Sequence, residues 1–358
     1  MMKPMIEIPI NVEPAYTIFI RQVLLKDAGQ YLDKFYKQIV IITDDNVDPY
    51  YSDTLFSSYK LEGNEIYKFI LHHGEENKNM NTVQDILNFL SQVKIKKDDL
   101  LIALGGGVVG DITGFVASIY LRGMDYIQIP TTFLSAIDSS VGGKTAVNLP
   151  EGKNLVGSFK QPLAVFCDTD CFKTLDDLIF SEGVAEALKY ALLFDEELFW
   201  RFSEGIVKKD SYDIDQIIKQ CIEYKKDLVE KDEFDQKERQ ILNFGHTIGH
   251  AIERCSNFKI RHGQGVSIGM AVIVRALERK KIVEEGLSQT IEQTFVKYHL
   301  PVSIEYSFDE IKEYLLRDKK IQDGKINIAM IDKIGSSRLQ EMELEEFMEF
   351  AELGWDPF

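Results

Sequence analysis

Five apolar residues, Leu100-Leu101-Ile102-Ala103-Leu104, run without a break into Gly105-Gly106-Gly107-Val108-Val109-Gly110-Asp111. A short apolar run that ends in glycines reads as a strand buried on both faces. Comparable runs at residues 38–43, 126–129 and 164–166 alternate with helical patterns such as residues 81–93. That alternation commits the first half of the chain to a parallel sheet covered by helices. Beyond residue 172 strands almost vanish, and amphipathic helical segments dominate at 180–193, 214–231, 245–255, 266–284 and 287–298. The sequence therefore predicts two domains, α/β over 1–172 and mostly α-helical over 173–358.

Glycines behind a buried strand let the backbone approach a pyrophosphate, whose charge then sits at the N-terminus of the next helix. A tight strand-to-helix turn needs glycine with or without a nucleotide, so this turn alone leaves both readings open. The acidic residue usual about 20 positions downstream is absent, and Asp44, closing the run at 39–43, is the candidate for the ribose. Two further segments, Asp138-Ser139-Ser140-Val141-Gly142-Gly143-Lys144-Thr145 and Glu151-Gly152-Lys153-Asn154, place lysines in glycine-bearing loops where an ammonium can reach an anion. The earlier glycine of a Walker sequence is missing, which disfavours an ATPase. Each lysine alone reads as a solvated surface cation. Their coincidence with Arg122 and Lys189 points instead to a phosphate-bearing ligand.

Three of the six histidines, His246, His250 and His262, fall within 17 positions. His246 and His250 are four apart and share one helix face. Neutral imidazoles suit zinc, iron or copper, and a catalytic zinc takes three protein ligands and keeps a fourth position open. A carboxylate is the expected third ligand; buried histidines satisfied by hydrogen bonds are the plainer alternative. Thr247 stands where a two-histidine metallopeptidase needs a glutamate base, so peptidase chemistry is disfavoured.

With 358 residues, 45% hydrophobic content and only 9 prolines, the chain can build two ordinary cores. Lys and Arg number 41 against 58 Asp and Glu, a net charge of −17 that repels nucleic acid and anionic membranes. Cys167, Cys171, Cys221 and Cys255 form no C-x-x-C pair, which indicates a reduced, cytoplasmic protein. Neither an export signal nor an apolar run long enough to span a membrane is expected.

Taken together, Thr43-Asp44, Gly74-Glu75-Glu76-Asn77-Lys78, the turn at 105–111, Arg122-Gly123, Pro130-Thr131-Thr132, the segments at 138–145, 152–154, 186–189 and 239–250, Lys225, His262-Gly263 and Asp318-Lys319-Lys320 resemble the 3-dehydroquinate synthase family over nearly the whole chain. The resemblance implies a Rossmann-like, NAD-binding domain over 1–172 and a helical metal- and substrate-binding domain over 173–358. It implies zinc or cobalt on Glu186, His246 and His262, with His250 as a proton relay. Nucleotide contacts are implied at Asp44, Asn46, Gly74, Glu75, Lys78, Gly106, Gly107, Gly110, Asp111, Thr131, Thr132, Lys144, Lys153 and Thr174. Substrate binding and catalysis are implied for Asp138, Lys144, Lys153, Asn154, Lys189, Lys225, Arg239, Asn243, His250 and Lys320, or its neighbour Lys319, with Arg122 reaching in from the second subunit of a homodimer.

The activity so implied begins with transient oxidation of a hydroxyl of 3-deoxy-D-arabino-heptulosonate 7-phosphate by NAD. Phosphate elimination, re-reduction, and ring opening and aldol closure to 3-dehydroquinate follow, a step of the shikimate pathway toward aromatic amino acids. Alternatives are another sugar phosphate cyclase of the same fold, a metal-dependent alcohol dehydrogenase, or a non-catalytic binding protein. The chain departs from the family pattern at Leu175-Asp176-Asp177-Leu178-Ile179, where relatives carry a proline and a charged pair. It departs again at Gln264, where relatives carry a glutamate. The first is expected to alter the linker, and the second to weaken the surroundings of a metal ligand.

Overall fold

A computed structural model describes residues 3–32, 34–316 and 324–356. They form two compact units, Met1–Leu175 with Tyr212–Phe234, and Asp176–Ser211 with Asp235–Phe358. The first unit contains strands β1 (Ile6–Ile10), β2 (Tyr16–Arg21), β3 (Gln38–Asp44), β4 (Glu65–Leu71), β5 (Leu100–Gly105), β6 (Asp125–Pro130), β7 (Lys144–Leu149), β8 (Gly152–Phe159) and β9 (Ala164–Asp168). Seven of these form one sheet in the order β1-β2-β9-β6-β5-β3-β4, and only β1 runs antiparallel to its neighbour. Every residue of β5 is buried, as its unbroken apolar sequence requires of an interior parallel strand.

The chain leaves β3 to one side for β4 and returns on the other side for β5, so the order reverses between β3 and β5. Ligands of open α/β sheets bind beyond the carboxyl ends of the strands at such a reversal. The helix Met80–Gln92 starts on an Asn79 cap, whose side chain accepts from Asn81 and Thr82 N–H at 2.9 and 3.1 Å. Its Val83, Ile86 and Leu90 join Val40, Ile42, Leu101 and Ala103 in the core. The β7–β8 hairpin lies so near the helix Gly107–Ile119 that a Cβ on Gly114 would come within 2.4 Å of Thr145 Cγ2.

One assignment of the sequence reading is corrected. The helix Ile214–Lys231, expected within a helical domain spanning 173–358, belongs to the first unit. Ile214, Ile217, Ile218, Cys221, Ile222 and Val229 repeat at helical spacing and are buried, and the helix packs on β1, β2 and the turn Ser135–Ser139. Amphipathicity identified a helix but carried no information on which core it would cover. The second unit holds the helices Asp177–Phe194, Glu196–Ser203, His246–Cys255, His262–Arg279, Leu287–Lys297, Phe308–Leu315 and Leu344–Gly354. It also holds an antiparallel pair, β10 (Lys325–Lys333) and β11 (Ser336–Glu343), that the sequence reading lacked. Among the described residues no helix is long and apolar enough to cross a membrane.

Candidate functional site

In the second unit Gly245 adopts φ +77° and the helix His246–Cys255 begins on the next residue. Arg261 likewise precedes the helix His262–Arg279, so each imidazole sits on the first residue of its helix. These helices meet backbone to backbone. A Cβ on Gly269 would lie 2.0 Å from Gly245 O, and one on Gly249 would lie 2.8 Å from the Gly265 carbonyl carbon. A Cβ on Gly263 would fall 2.5 Å from Glu182 Cα, which brings in the helix Asp177–Phe194 and, one turn past Glu182, Glu186.

The ligand atoms of Glu186, His246 and His262 all lie within 4.8 Å of one another. His246 Nε2 is 3.3 Å and His262 Nε2 3.5 Å from Glu186 Oε1, and Lys189 Nζ stands against Oε2. Glu186 is completely buried, yet neither of its oxygens accepts a well-aligned hydrogen bond among the described residues. A buried carboxylate without aligned donors is costly. One carboxylate and two imidazoles facing a common point fit a zinc-type or cobalt-type ion with room for a further ligand.

The far side of each ring supports that fit. His246 Nδ1 lies 3.1 Å from Phe244 O, and since a carbonyl only accepts, Nδ1 carries the proton and Nε2 is left as a donor atom for a cation. His262 Nδ1 donates at 2.9 Å to Glu253 Oε1, a nearly wholly buried carboxylate on the His246–Cys255 helix. Burial lowers the pKa of His246 despite Glu186. Burial acts the same way on His262, but Glu186 and Glu253 outweigh it and push the ring up to about 10. Glu186 is held well below the ordinary carboxylate range, because Lys189 and His246 outweigh a burial that would raise it. His250, whose ring centroid is 5.5 Å from that of His246 and 5.8 Å from that of His262, forms a second close grouping with Glu253 and His262.

The carboxyl ends of four adjacent strands gather the expected nucleotide residues of the first unit. Asp44 ends β3 opposite Leu71 of β4, and Gly105 of β5 pairs with Pro130 of β6. The residues that follow these strands include Asn46, Gly74, Glu75, Lys78, Gly106, Gly107, Gly110, Asp111, Thr131 and Thr132. Asp44 Oδ1 accepts from Asn46 and Val47 N–H, each at 2.9 Å, closing a turn; burial raises its pKa. Gly106 caps the helix Gly107–Ile119, and side chains at 107 and 110 would press on Ser139 Oγ and Gln128 Oε1 at 3.1 and 2.8 Å. Lys78 Nζ donates to Asp111 Oδ2 at 2.5 Å and Asn154 Oδ1 at 2.6 Å, while Glu75 Oε1 accepts from Asn148 Nδ2 at 2.8 Å. These bonds tie the hairpin bearing Lys144, Lys153 and Asn154 to the loop after β4.

Lys225, on the helix that returns to the first unit, donates to Asp138 O at 2.6 Å and to its Oδ1 at 2.7 Å. Thr174 shares the Tyr51 hydroxyl, and Arg122 is exposed at φ +64°. Arg239, buried, and Asn243 occupy the turn that leads into Gly245 in the second unit. Lys320, with Asp318 and Lys319, lies outside the described residues. Glu253 and Gly269 were absent from the sequence reading, which quoted Gly245, Gly249 and Gly263 as motif residues without giving them a packing role. Glu253 lies three residues past His250, a spacing that could have exposed it.

At both departures this chain makes local hydrogen bonds of its own. Asp176 caps the Glu186 helix through a 2.8 Å bond from Leu178 N–H. Gln264 Oε1 accepts from Arg261 N–H at 3.1 Å at its own helix start, and a carboxylate beside the His262 ring is supplied by Glu253.

Family profiles described as 3-dehydroquinate synthase N-terminal and C-terminal match residues 68–182 and 183–321. A 3-dehydroquinate synthase of Clostridium botulinum (strain Alaska E43 / Type E3) is 43% identical over 340 residues, 94% of this chain and 97% of that protein. A 2-deoxy-scyllo-inosose synthase complexed with carbaglucose-6-phosphate, NAD+ and Co2+ superposes with a TM-score of 0.85 at 24% identity, covering 97% of this chain and 99% of that one. A 2-epi-5-epi-valiolone synthase from Streptomyces hygroscopicus subsp. jinggangensis 5008 with NAD+ and Zn2+ bound gives 0.85 at 24%, covering 94% and 95%. At that identity the two structures establish the fold.

Proposed function

The chain belongs to the 3-dehydroquinate synthase family, and we infer that it converts 3-deoxy-D-arabino-heptulosonate 7-phosphate to 3-dehydroquinate and phosphate, with NAD and zinc or cobalt as cofactors. The observation that carries this reading is the Glu186–His246–His262 cluster, in which both rings turn Nε2 to a buried carboxylate that lacks aligned hydrogen bonds. When bound, NAD would accept and return a hydride while the cation acts as a Lewis acid on the hydroxyls at the oxidised centre.

The chain's own residues bind and orient. Asp44, Asn46, Gly74, Glu75, Lys78, Asp111, Thr131, Thr132 and Thr174 would hold NAD, and the glycines at 106, 107 and 110 leave room for its pyrophosphate. Lys144, Lys153, Asn154, Lys189, Lys225, Arg239 and Asn243 would hold the carboxylate, hydroxyls and phosphate, chiefly by positioning. Asp138 fixes the Lys225 ammonium. His250 would pass a proton through its imidazole. A cytoplasmic homodimer, in which the exposed Arg122 serves the partner's site, is part of the same proposal.

Product accumulation without net NADH tests the reaction. Phosphate and 3-dehydroquinate should build up over many turnovers with no net rise in NADH absorbance, while enzyme stripped of NAD releases no phosphate. Stoichiometric NADH release with a simple alcohol would replace this reading with an alcohol dehydrogenase.

A further inference from the structure

Glu253 is a buried carboxylate to which nothing in the reaction above gives a part. It is 1% exposed, on the His246–Cys255 helix two turns past His246, and its Oε1 accepts from His262 Nδ1 at 2.9 Å. We propose that Glu253 is a positioning residue for the metal centre: it fixes Nδ1–H on His262, aims Nε2 at the cation shared with Glu186, and strengthens that nitrogen as a donor. The inference rests on the metal-dependent reading of this site.

Three features carry it. Ionised carboxylates are rarely buried without a partner, and the His262 ring is a partner of this one at 2.9 Å. The two ligand rings are oriented differently, His246 by the neutral carbonyl of Phe244 and His262 by an anion. A carboxylate makes the ring it binds more basic, so His262 is the stronger donor of the two. Finally, Gln264, two residues past this ligand, carries no charge, and its side-chain oxygen is engaged by Arg261 N–H at 3.1 Å, so it does not take the role.

Glu253→Gln keeps the size of the side chain and removes its charge. In zinc-buffered equilibrium dialysis it should weaken zinc binding by about 10- to 100-fold, the range found when outer partners of ligating histidines are changed. Gln264→Ala should bind zinc within twofold of the parent. Undiminished zinc binding by Glu253→Gln, or an equal loss in Gln264→Ala, would overturn the assignment. Nitrogen-15 NMR of the zinc-loaded parent protein tests the same point without any variant, should Glu253→Gln fail to fold. The His262 ring should show a protonated Nδ1 and a metal-bound Nε2; the reverse pattern overturns the proposal. Loss of turnover in a protein that binds zinc normally would instead count against the proposed reaction and leave the role of Glu253 standing.

Discussion

The Lys78–Asp111 pair of the first unit is largely buried and the Lys189–Glu186 pair of the second fully so, and their carboxylates respond in opposite senses. Burial raises the pKa of Asp111, and Lys78 offsets it only in part. Glu186, more deeply buried still, is held well below the ordinary range by Lys189 and His246. Lys78 is engaged twice, by Asp111 and by the Asn154 amide, so the first pair braces a loop against a hairpin. Glu186 faces a lysine and two imidazoles with no aligned bond to either oxygen. A buried ion pair closed on itself is a structural tie, whereas a buried carboxylate faced by two imidazole nitrogens with no aligned hydrogen bond has the shape of a site that a cation completes.

The largest effect that would break this contrast is loss of the cation itself. His262→Ala should lose bound zinc and turnover together, whereas His250→Ala should impair turnover and leave zinc in place, as metal analysis and a phosphate-release assay would show. Equal zinc loss in both would merge the two roles. The lysines come next. Lys78→Ala should cost roughly 3 to 5 kcal/mol, the usual penalty for stranding one member of a buried pair, whether or not zinc is present. Lys189→Ala should cost a similar amount in metal-free protein and recover part of it on zinc addition, because the cation then neutralises Glu186. Thermal melts of both variants, metal-free and zinc-loaded, decide it; zinc responses of equal size would mean that the two pairs do not differ as described.

The two regions also differed in how far the sequence disclosed them. The cradle was legible because it is local: strand, glycine turn and helix follow one another at 100–111, and the ends of β3, β4, β5 and β6 lie side by side once the strands are parallel. At the metal centre the histidine spacing pointed to a metal and a carboxylate beside it, but the choice of His262 over His250, and of Glu186, 60 positions before His246, came only through the family resemblance. What brings the three together is glycine in three helix contacts; Gly245 and Gly249, and Gly265 and Gly269, each four apart on one helix face, are a signal that apolar periodicity does not register. The helix Ile214–Lys231 shows the same limit, since its apolar stripe fits either core. β10 escaped notice because its buried residues, Ile326, Ile328 and then residues 329–331, alternate only at the start.

Gly269→Ala tests whether those contacts build the centre. Its Cβ would meet Gly245 O at 2.0 Å, and a backbone oxygen cannot turn aside as a side chain can. Overpacking usually costs 1 to 3 kcal/mol, so about 3 kcal/mol is expected, along with weaker zinc binding as His246 and His262 are pushed apart. At Gly107 of the first unit a Cβ meets only Ser139 Oγ at 3.1 Å, a side chain able to rotate. Gly107→Ala should therefore stay within about 1 kcal/mol of the parent and act on NAD affinity instead. Similar melting temperatures for the two variants would remove the helix contacts from the account.

The smallest effect concerns the helix that carries Glu186. Asp176 caps it by accepting from Leu178 N–H at 2.8 Å, and its negative charge also sits at the positive end of the helix dipole. Asp176→Ala should cost about 1 kcal/mol, near the centre of measured cap losses. Glu186 lies more than two turns from that end and is packed on all sides, so fraying of the first turn should not reach it. Zinc affinity should stay at the parent value while the melting temperature falls by a few degrees. A fall in zinc affinity as large as that caused by Gly269→Ala would show that the centre depends on how its helices begin as much as on where they touch.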